Sequence, residues 1–296
     1  MANNVKTQEY ELSLTKRGRR MLTLSRVFVY IALIFLTILC LFSFYLMIIN
    51  ASRTHSQIQQ GFTLIPGTNL IQNFKNAVND ASINIPQGMW NSLVVAVGSA
   101  TLTTYFSALT AYAIHCYRFK GRKAIYTFIL VIMMIPAQVS AVGFVQMVNK
   151  LDLTNNFLPL IIPGIAAPAV FFYMKQYMES ILPMEIIEAA RVDGSGEFRT
   201  FNTIVLPIMK PAIAVQAIFS FVASWNNYFT PALIIDDPKM KTVPIMIAQL
   251  RSADYSKFDM AKVYMFIVLA ILPVIAVYLI LSKFIIKNIT AGSVKG

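Results

Sequence analysis

The chain has 296 residues and a net charge of +12, with 57% hydrophobic residues, only 13% charged ones and a mean hydropathy of +0.62. A soluble domain carries about a quarter charged residues, so this composition excludes an ordinary soluble fold and points to the bilayer. The positive charge lies between apolar runs, with no flanking aromatic platform on which bases could stack, which excludes a nucleic-acid partner.

A hydrocarbon core about 30 Å thick takes roughly 20 apolar residues per helix. Residues 1–26 form a basic N-terminal tail, after which the first charge-free window runs from Val27 to Ser52. It is too long for the apolar region of a signal peptide, and no small-residue cleavage pattern follows it, so it reads as a retained span. The next charge-free window, Thr54 to Phe74, is rich in Gln, Asn, Thr and Gly. Burial would strand those polar groups, so it reads as a loop. Five further windows qualify: Ala81 to Tyr117, Ala124 to Asn149, Leu153 to Met174, Pro211 to Ile235 and Val263 to Ser282. Trimmed to bilayer length, the expected spans are 27–50, 90–116, 124–147, 155–176, 211–234 and 263–285, with residues 288–296 left as a tail. The predicted architecture is an all-α, polytopic membrane protein with six transmembrane helices.

Basic residues set its orientation. Seventeen of the 25 Lys and Arg fall in the N-terminal tail, the second connection, the fourth connection and the C-terminal tail. Cytoplasmic loops carry the excess of Lys and Arg, so both termini are expected in the cytoplasm, with the chain in the cell membrane. The basic residues as a set read as topology signals and lipid-headgroup contacts.

The fourth connection holds a polar island, EAARVDGSGEFRTFNTIVLP, from Glu188 to Pro207. Pro183 suits the first turn of a helix, where its missing N–H costs nothing, and Glu185 and Glu188 then face the positive dipole end. Met184, Ile187 and Ala190 recur at helical spacing and make one narrow apolar face. Asp193-Gly194 is a stop, because glycine reaches the left-handed conformation cheaply. A second short helix starts near Ser195, with Phe198, Phe201 and Ile204 or Val205 along one side, and Leu206-Pro207 ends it. A lipid-resting connector would favour Lys and Arg, whereas this one presents glutamates and two alanines, which suits docking to a protein.

The chain carries no G-x-x-x-x-G-K-[ST] motif, and DGSGEF follows a helix and lacks a third glycine, so it is not a dinucleotide loop. Cys40 and Cys116 lie in or beside spans, and no Cys/His cluster has metal spacing. His55 and His115 have no acidic or thiol neighbour at ligand or triad spacing and read as incidental. No cofactor, metal or catalytic group is expected in this chain, so its energy must come from another subunit.

Glu188-Ala189-Ala190, Gly194 after three residues, and Ile204-Val205-Leu206-Pro207 after nine more resemble the EAA loop of bacterial ABC-importer permeases. The six-span plan, the loop's position between spans four and five and the ending ITAGSVKG narrow the resemblance to the second permease of the maltose-type carbohydrate importers. The resemblance implies the type I ABC-importer permease fold, with segment 183–207 as a coupling helix seated on a cytoplasmic ATPase. Glu188 would contact a basic residue there, Ala189 and Ala190 would pack closely, and Gly194 would make the bend. Ile204, Leu206 and Pro207 would fix how the bend enters span five. Thr290, Ala291, Gly292, Ser293, Val294, Lys295 and Gly296 would reach the ATPase subunits. The implied partners are a related permease, two ATPase subunits that bind ATP and magnesium, and an extracytoplasmic sugar-binding protein.

Polar residues inside spans are costly in lipid and mark a candidate path: Gln138, Gln216, Ser220, Asn226 and Asn227. For the last two an interfacial aromatic belt is an equal alternative. Pro136, Pro159, Pro163, Pro168, Pro231 and Pro273 are expected to kink their helices. The outer segment 242–262 resembles by position the part that probes the binding protein. Rival readings are an importer permease for a solute such as a sugar phosphate ester, and an ion-coupled transporter. The latter is disfavoured because no window contains an Asp or Glu.

Overall fold

The computed structural model describes residues 2–80, 83–251 and 259–292, and among them all regular structure is helical. Helix α1 (Ala2–Ala51) runs unbroken for 50 residues, so the basic segment expected as a tail continues the first span as helix. Its apolar part, Arg26–Ala51, is exposed along most of its length and becomes buried only near Ile49 and Ala51. A side chain such as Phe28, 73% exposed, can face only lipid or a further protein surface.

Two helices lie in the window read as loop: α2 (His55–Gln59) and the first turns of α3 (Leu70–Val78). A reciprocal capping box between Thr54 and Gln57 starts α2. This segment caps the end of α1. Asn73 Nδ2 donates to the carbonyls of Ala51 (2.8 Å) and Arg53 (2.9 Å), and Gly67 N–H donates to Ser52 Oγ at 2.8 Å. His55 packs at the start of α15, where its Nδ1 accepts the backbone N–H of Met260 at 3.0 Å.

The centre of the fold is α4 (Ile85–Cys116). Ala96, Ala108 and Ala111 on it are fully buried, with Gly98, Thr103, Thr104 and Ser107 between them. Lipid tails are as apolar as leucine, so helices associate in a bilayer through close backbone approach, which small residues permit. The third predicted span departs from expectation. It is split into α5 (Arg122–Ile132) and α6 (Ala137–Lys150), because Pro136 is extended (ψ 130°) and cannot continue the hydrogen-bond ladder. The fourth consists of α7 (Leu158–Ile161), a 3-10 turn Ile162–Ile165 and α8 (Pro168–Ile181).

The polar connection follows as α9 (Met184–Val192), α10 (Glu197–Thr200), a π-turn Phe201–Val205 and α11 (Leu206–Ile208). Then come α12 (Lys210–Trp225), α13 (Phe229–Ile234), α14 (Val243–Arg251) and α15 (Met260–Gly292). Among the described residues, four segments are long and apolar enough to cross a membrane, five if the pair Glu197–Ile208 and Lys210–Trp225 counts as one bent span. The split α5–α6 segment, expected as the third span, is not among them.

Most prolines start helices rather than kink them. Pro159, Pro163 and Pro168 occupy first-turn positions, Pro231 is the third residue of α13, and Pro273 alone among those named lies well inside a helix. A first-turn N–H has no intrahelical acceptor, so proline there removes nothing. At the end away from the polar connection, side chains on α4 replace missing backbone partners. Asn91 Nδ2 donates to the carbonyls of Lys239 (2.9 Å) and Lys241 (3.0 Å), and Ser92 Oγ accepts Val243 N–H at 2.8 Å.

The 3-10 turn crosses α4 closely. A Cβ on Gly164 would lie 2.7 Å from Thr103 Oγ1 and 3.1 Å from the Ser99 carbonyl, whereas one on Gly143 would meet nothing within 4 Å. Gly164→Leu is therefore expected to destabilise the protein by about 1–3 kcal/mol, the usual cost of overpacking, and Gly143→Leu by much less. A circular-dichroism melt in detergent with equal midpoints for the two variants would contradict this crossing.

Candidate functional site

Pro183 caps the start of α9 with an extended backbone, and Glu185 lies in its first turn. Ile187 and Ala190 are buried, while Glu185, Ile186, Glu188 and Ala189 face outward. The two alanines therefore do not share a surface: Ala189 is available to a partner, and Ala190 packs within the chain. Gly194 has φ +75°, and the Ser195 N–H returns to the Ala190 carbonyl at 2.9 Å. That turn closes α9 and reverses the chain.

The second helix differs from expectation at both ends. Phe201 and Val205 are fully buried, but Phe198 is 66% exposed. A run of π geometry follows Phe198 and widens the winding, so spacing from an α-helical wheel misplaces it. The helix also does not stop at Leu206-Pro207. Leu206 keeps helical geometry (φ −57°, ψ −44°), and the break comes at Met209, where the Glu197–Ile208 segment meets α12 at 82°. Pro211 lacks the N–H that would continue the ladder onto Pro207, which places the bend between the two prolines. Ile204 and Leu206 are half-buried and Pro207 is exposed along this run.

One carboxylate joins three elements. Arg191 Nε on α9 donates to Glu197 Oε1 at 2.7 Å, and Tyr112 Oη on α4 donates to Glu197 Oε2 at 2.6 Å. The Arg191 guanidinium also lies 5.4 Å over the Tyr117 ring. Hydrogen bonding from Arg191, offset by desolvation and reinforced by Tyr112 and Tyr117, holds the Glu197 carboxyl down to about 2. Below α9, His115 Nε2 lies 3.4 Å from the Leu182 carbonyl, so this histidine borders the site. Tyr105 Oη donates to Asn202 Oδ1 at 3.2 Å, and the Tyr105 and Tyr112 rings pack on Phe201 at 5.7 and 5.5 Å.

Outward, the pair presents Ile186, Glu188, Ala189, Val192 (87% exposed) and Phe198. Val192 and Phe198 were not legible as surface positions. Val192 precedes the stop without completing an apolar stripe, and the π-turn hides the register of Phe198.

Of the candidate path residues, Gln216, Ser220 and Asn227 follow one stripe of α12 and its continuation, all half-buried, opposite the buried Phe221 and Trp225. Asn227 Oδ1 accepts the Thr230 N–H at 3.3 Å. Asn226 is exposed at the break after α12 and lines a cavity of about 630 Å³ with Phe44, Trp225, Tyr228 and Val243. Gln138 is exposed at the start of α6, away from that helix's packed end at Val148, and no hydrogen bond joins it to the α12 stripe. Thr290, Ala291 and Gly292 belong to α15, whereas Ser293 to Gly296 lie outside the described residues, as do 252–258 of the outer segment.

The model of the family described as binding-protein-dependent transport system inner membrane component matches residues 103–291, which include the whole bent connection. The chain belongs to this family. It is 32% identical over 264 residues to the arabinooligosaccharides transport system permease protein AraQ of Bacillus subtilis, covering 88% of this chain and 92% of that one. The trehalose/maltose transport system permease protein MalG of Thermococcus litoralis is 30% identical, covering 92% and 98%. The sn-glycerol-3-phosphate transport system permease protein UgpE of Yersinia enterocolitica is also 30% identical, covering 89% and 95%. A bacterial ABC transporter involved in the import of the acidic polysaccharide alginate superposes with a TM-score of 0.73, covering 87% of this chain and 96% of that one at 22% identity. The fold is accordingly that of an ABC-importer permease, and the chain is a multi-pass membrane protein.

Two expectations follow from the geometry. Asparagine tolerates the left-handed region and β-branched residues do not, so Gly194→Val should strain the turn by about 1–2 kcal/mol and Gly194→Asn by less. Limited proteolysis should then cut Gly194→Val several-fold faster between 190 and 200, and equal rates would contradict the turn. The Glu197 carboxyl is depressed from 4.5 to about 2, so its contribution is complete above about pH 4.5 and is lost as pH falls through 2. Hydrogen-exchange protection of α9, corrected for intrinsic rates, should accordingly be flat from pH 5 to pH 8.

Proposed function

We propose that this permease is a subunit of an ATP-driven carbohydrate importer and that α9 with its bend is the handle by which a cytoplasmic ATPase moves the spans. The observation that carries this reading is the outward face of α9 and α10. An acidic group at Glu188, a small residue at Ala189 and the exposed apolar side chains of Val192 and Phe198 are all left uncovered on this one short connection. Apolar groups next to an acidic one fit a protein cleft with a basic lining better than they fit water or anionic lipid. Both permeases named above for arabinooligosaccharides and for trehalose and maltose align over most of the chain, which supports a sugar or oligosaccharide as solute.

The remaining parts follow from that reading. Positive charge at the ends of α1 and α15 and around α9 favours a cytoplasmic location for both termini and for the handle. ATP and its magnesium ion bind on two ATPase subunits, and this chain contributes no catalytic group. A second, related permease completes the path along the α12 stripe of Gln216, Ser220 and Asn227, with Asn226 and Gln138 nearer its ends. An extracytoplasmic binding protein delivers the solute at the opposite face, and Thr290 to Gly296 extend between the ATPase subunits. ATP-driven closure draws the two handles together and favours one packing of the spans over the other.

A second reading concerns the solute alone. The 30% identical relative for sn-glycerol-3-phosphate is matched over a similar share of the chain, so a sugar phosphate ester is the alternative cargo. A thermal-shift screen of the cognate binding protein against sugars and sugar phosphates separates the two.

Glu188→Lys should leave the chain inserted yet reduce binding-protein-stimulated ATP hydrolysis in the reconstituted complex to its unstimulated rate. Cysteine at position 189 should crosslink to an ATPase subunit. Unchanged stimulation, or crosslinking only to periplasmic components, would refute the handle.

A further inference from the structure

We infer that Glu197 is a positioning residue that fastens the docking helix directly to α4, giving the permease a non-covalent route for force that bypasses the flexible joints of its own backbone. This inference rests on the proposed function of α9. Each covalent route out of α9 passes a joint. Backwards, it leaves through Leu182 and the extended Pro183 to α8; forwards, it passes the left-handed Gly194 and then the 82° bend at Met209 before reaching α12. A displacement of α9 carried only by those routes would be absorbed in the turns, which are the positions that take up φ/ψ change in hinged motions.

The Glu197 carboxylate closes that gap. Its two oxygens are divided between α9, through Arg191 at 2.7 Å, and α4, through Tyr112 at 2.6 Å. A carboxylate bridging two donors forms charge-assisted bonds that resist both separation and rotation of the donors. The attachment on α4 is broad. Tyr112, Tyr117 and His115 contact the exit and entry of α9, and Tyr105, about two turns earlier, holds Asn202 beyond the clamp. Helix α4 in turn packs on α8, α12, α14 and α15, so a pull on α9 is delivered to the centre of the bundle. The clamp also leaves Glu188 and Ala189 free, because Arg191 and Glu197 point towards Tyr112 and Tyr117 while Glu188 faces outward. Docking and anchoring thus use different faces of the same short helix.

The two roles predict different failures. A residue that makes the docking surface governs whether the ATPase binds, whereas an anchoring residue governs how much transport each hydrolysis yields. The test reconstitutes the full complex in liposomes with its binding protein and measures solute uptake and ATP hydrolysis on the same sample. Glu197→Ala should co-purify with the ATPase in wild-type proportion but deliver at least fivefold less solute per ATP. Tyr112→Phe, which removes one hydrogen bond and alters neither short helix, should lower the ratio about twofold. Exchanging the charges in Arg191→Glu with Glu197→Arg restores the pair and lets the tyrosine hydroxyl accept, so the double variant should recover at least half the wild-type ratio, which Arg191→Glu alone does not. Wild-type ratios in both Glu197→Ala and Tyr112→Phe would overturn the inference. Should Glu197→Ala not assemble, the Tyr112→Phe ratio decides: a lowered value supports the clamp and a wild-type value overturns it. Absence of binding-protein-stimulated hydrolysis in the unmodified complex would instead defeat the handle itself, and so is distinguishable from a failure of the clamp.

Discussion

Close approach to α4 is the constraint on which the rest of this permease depends. No difference in apolarity drives helix against helix in a bilayer, so contact must come from backbones near enough for dense van der Waals packing. The fully buried Ala96, Ala108 and Ala111 supply that surface, and Gly164 meets it from the other side of the crossing with no room for a Cβ. Because α4 is fixed by so many neighbours, its last turns form a rigid ledge. The island is built on that ledge: Tyr105 and Tyr112 pack on Phe201, and Tyr112 binds Glu197. The same helix therefore sets the spacing of the spans and the position of the element that projects from them.

Backbone hydrogen bonding explains where the spans are allowed to break. An unsatisfied peptide group in hydrocarbon costs several kcal/mol, so irregular backbone survives only where protein or water meets it. The interruption at Asn226 to Tyr228 lies beside a cavity and is held by Asn227 Oδ1, and the segment after α13 is held by Asn155 Oδ1, which accepts the N–H groups of Asp236 (2.7 Å) and Asp237 (2.8 Å). Asn91 and Ser92 do the same for the stretch before α14. Asparagine recurs at these breaks because one short side chain can replace a missing backbone partner without leaving the helix surface.

Much of this was legible in the sequence, and the reason is the length scale of the signals. Apolar windows of bilayer length gave the spans, and local residue chemistry gave α9: proline at its start, Ile187 and Ala190 inward, glycine at its end. What could not be read depends on contacts across the chain or on small departures from ideal winding. Composition cannot show that Pro136 splits a span while Pro273 lies within one, since the outcome rests on whether neighbours satisfy the freed carbonyls. A wheel of ideal α-helix put Phe198 on the same side as Phe201 because nothing local announces the π-turn that follows it. His55 and His115 looked idle because their partners are the distant Met260 N–H and Leu182 carbonyl. Glu197 drew no attention in the sequence, since one of its two partners, Tyr112, lies 85 residues away.

The surface left uncovered follows the same logic. Along α12, Gln216 and Ser220 have no hydrogen-bond partner among the described residues, although they stand on a helix whose other face is packed through Phe221 and Trp225. Polar groups facing lipid would carry a desolvation cost without return. Water removes that cost, and water reaches the middle of a bilayer only where helices from more than one side enclose it. A single set of spans arranged about α4 leaves this stripe on its edge rather than in its interior. The half-open stripe and the island are joined by one helix: α12 begins at the 82° bend that receives the island and carries its polar face from there towards Asn226. A rotation applied at the bend changes which groups that face presents, which is what the proposed docking role of the island requires.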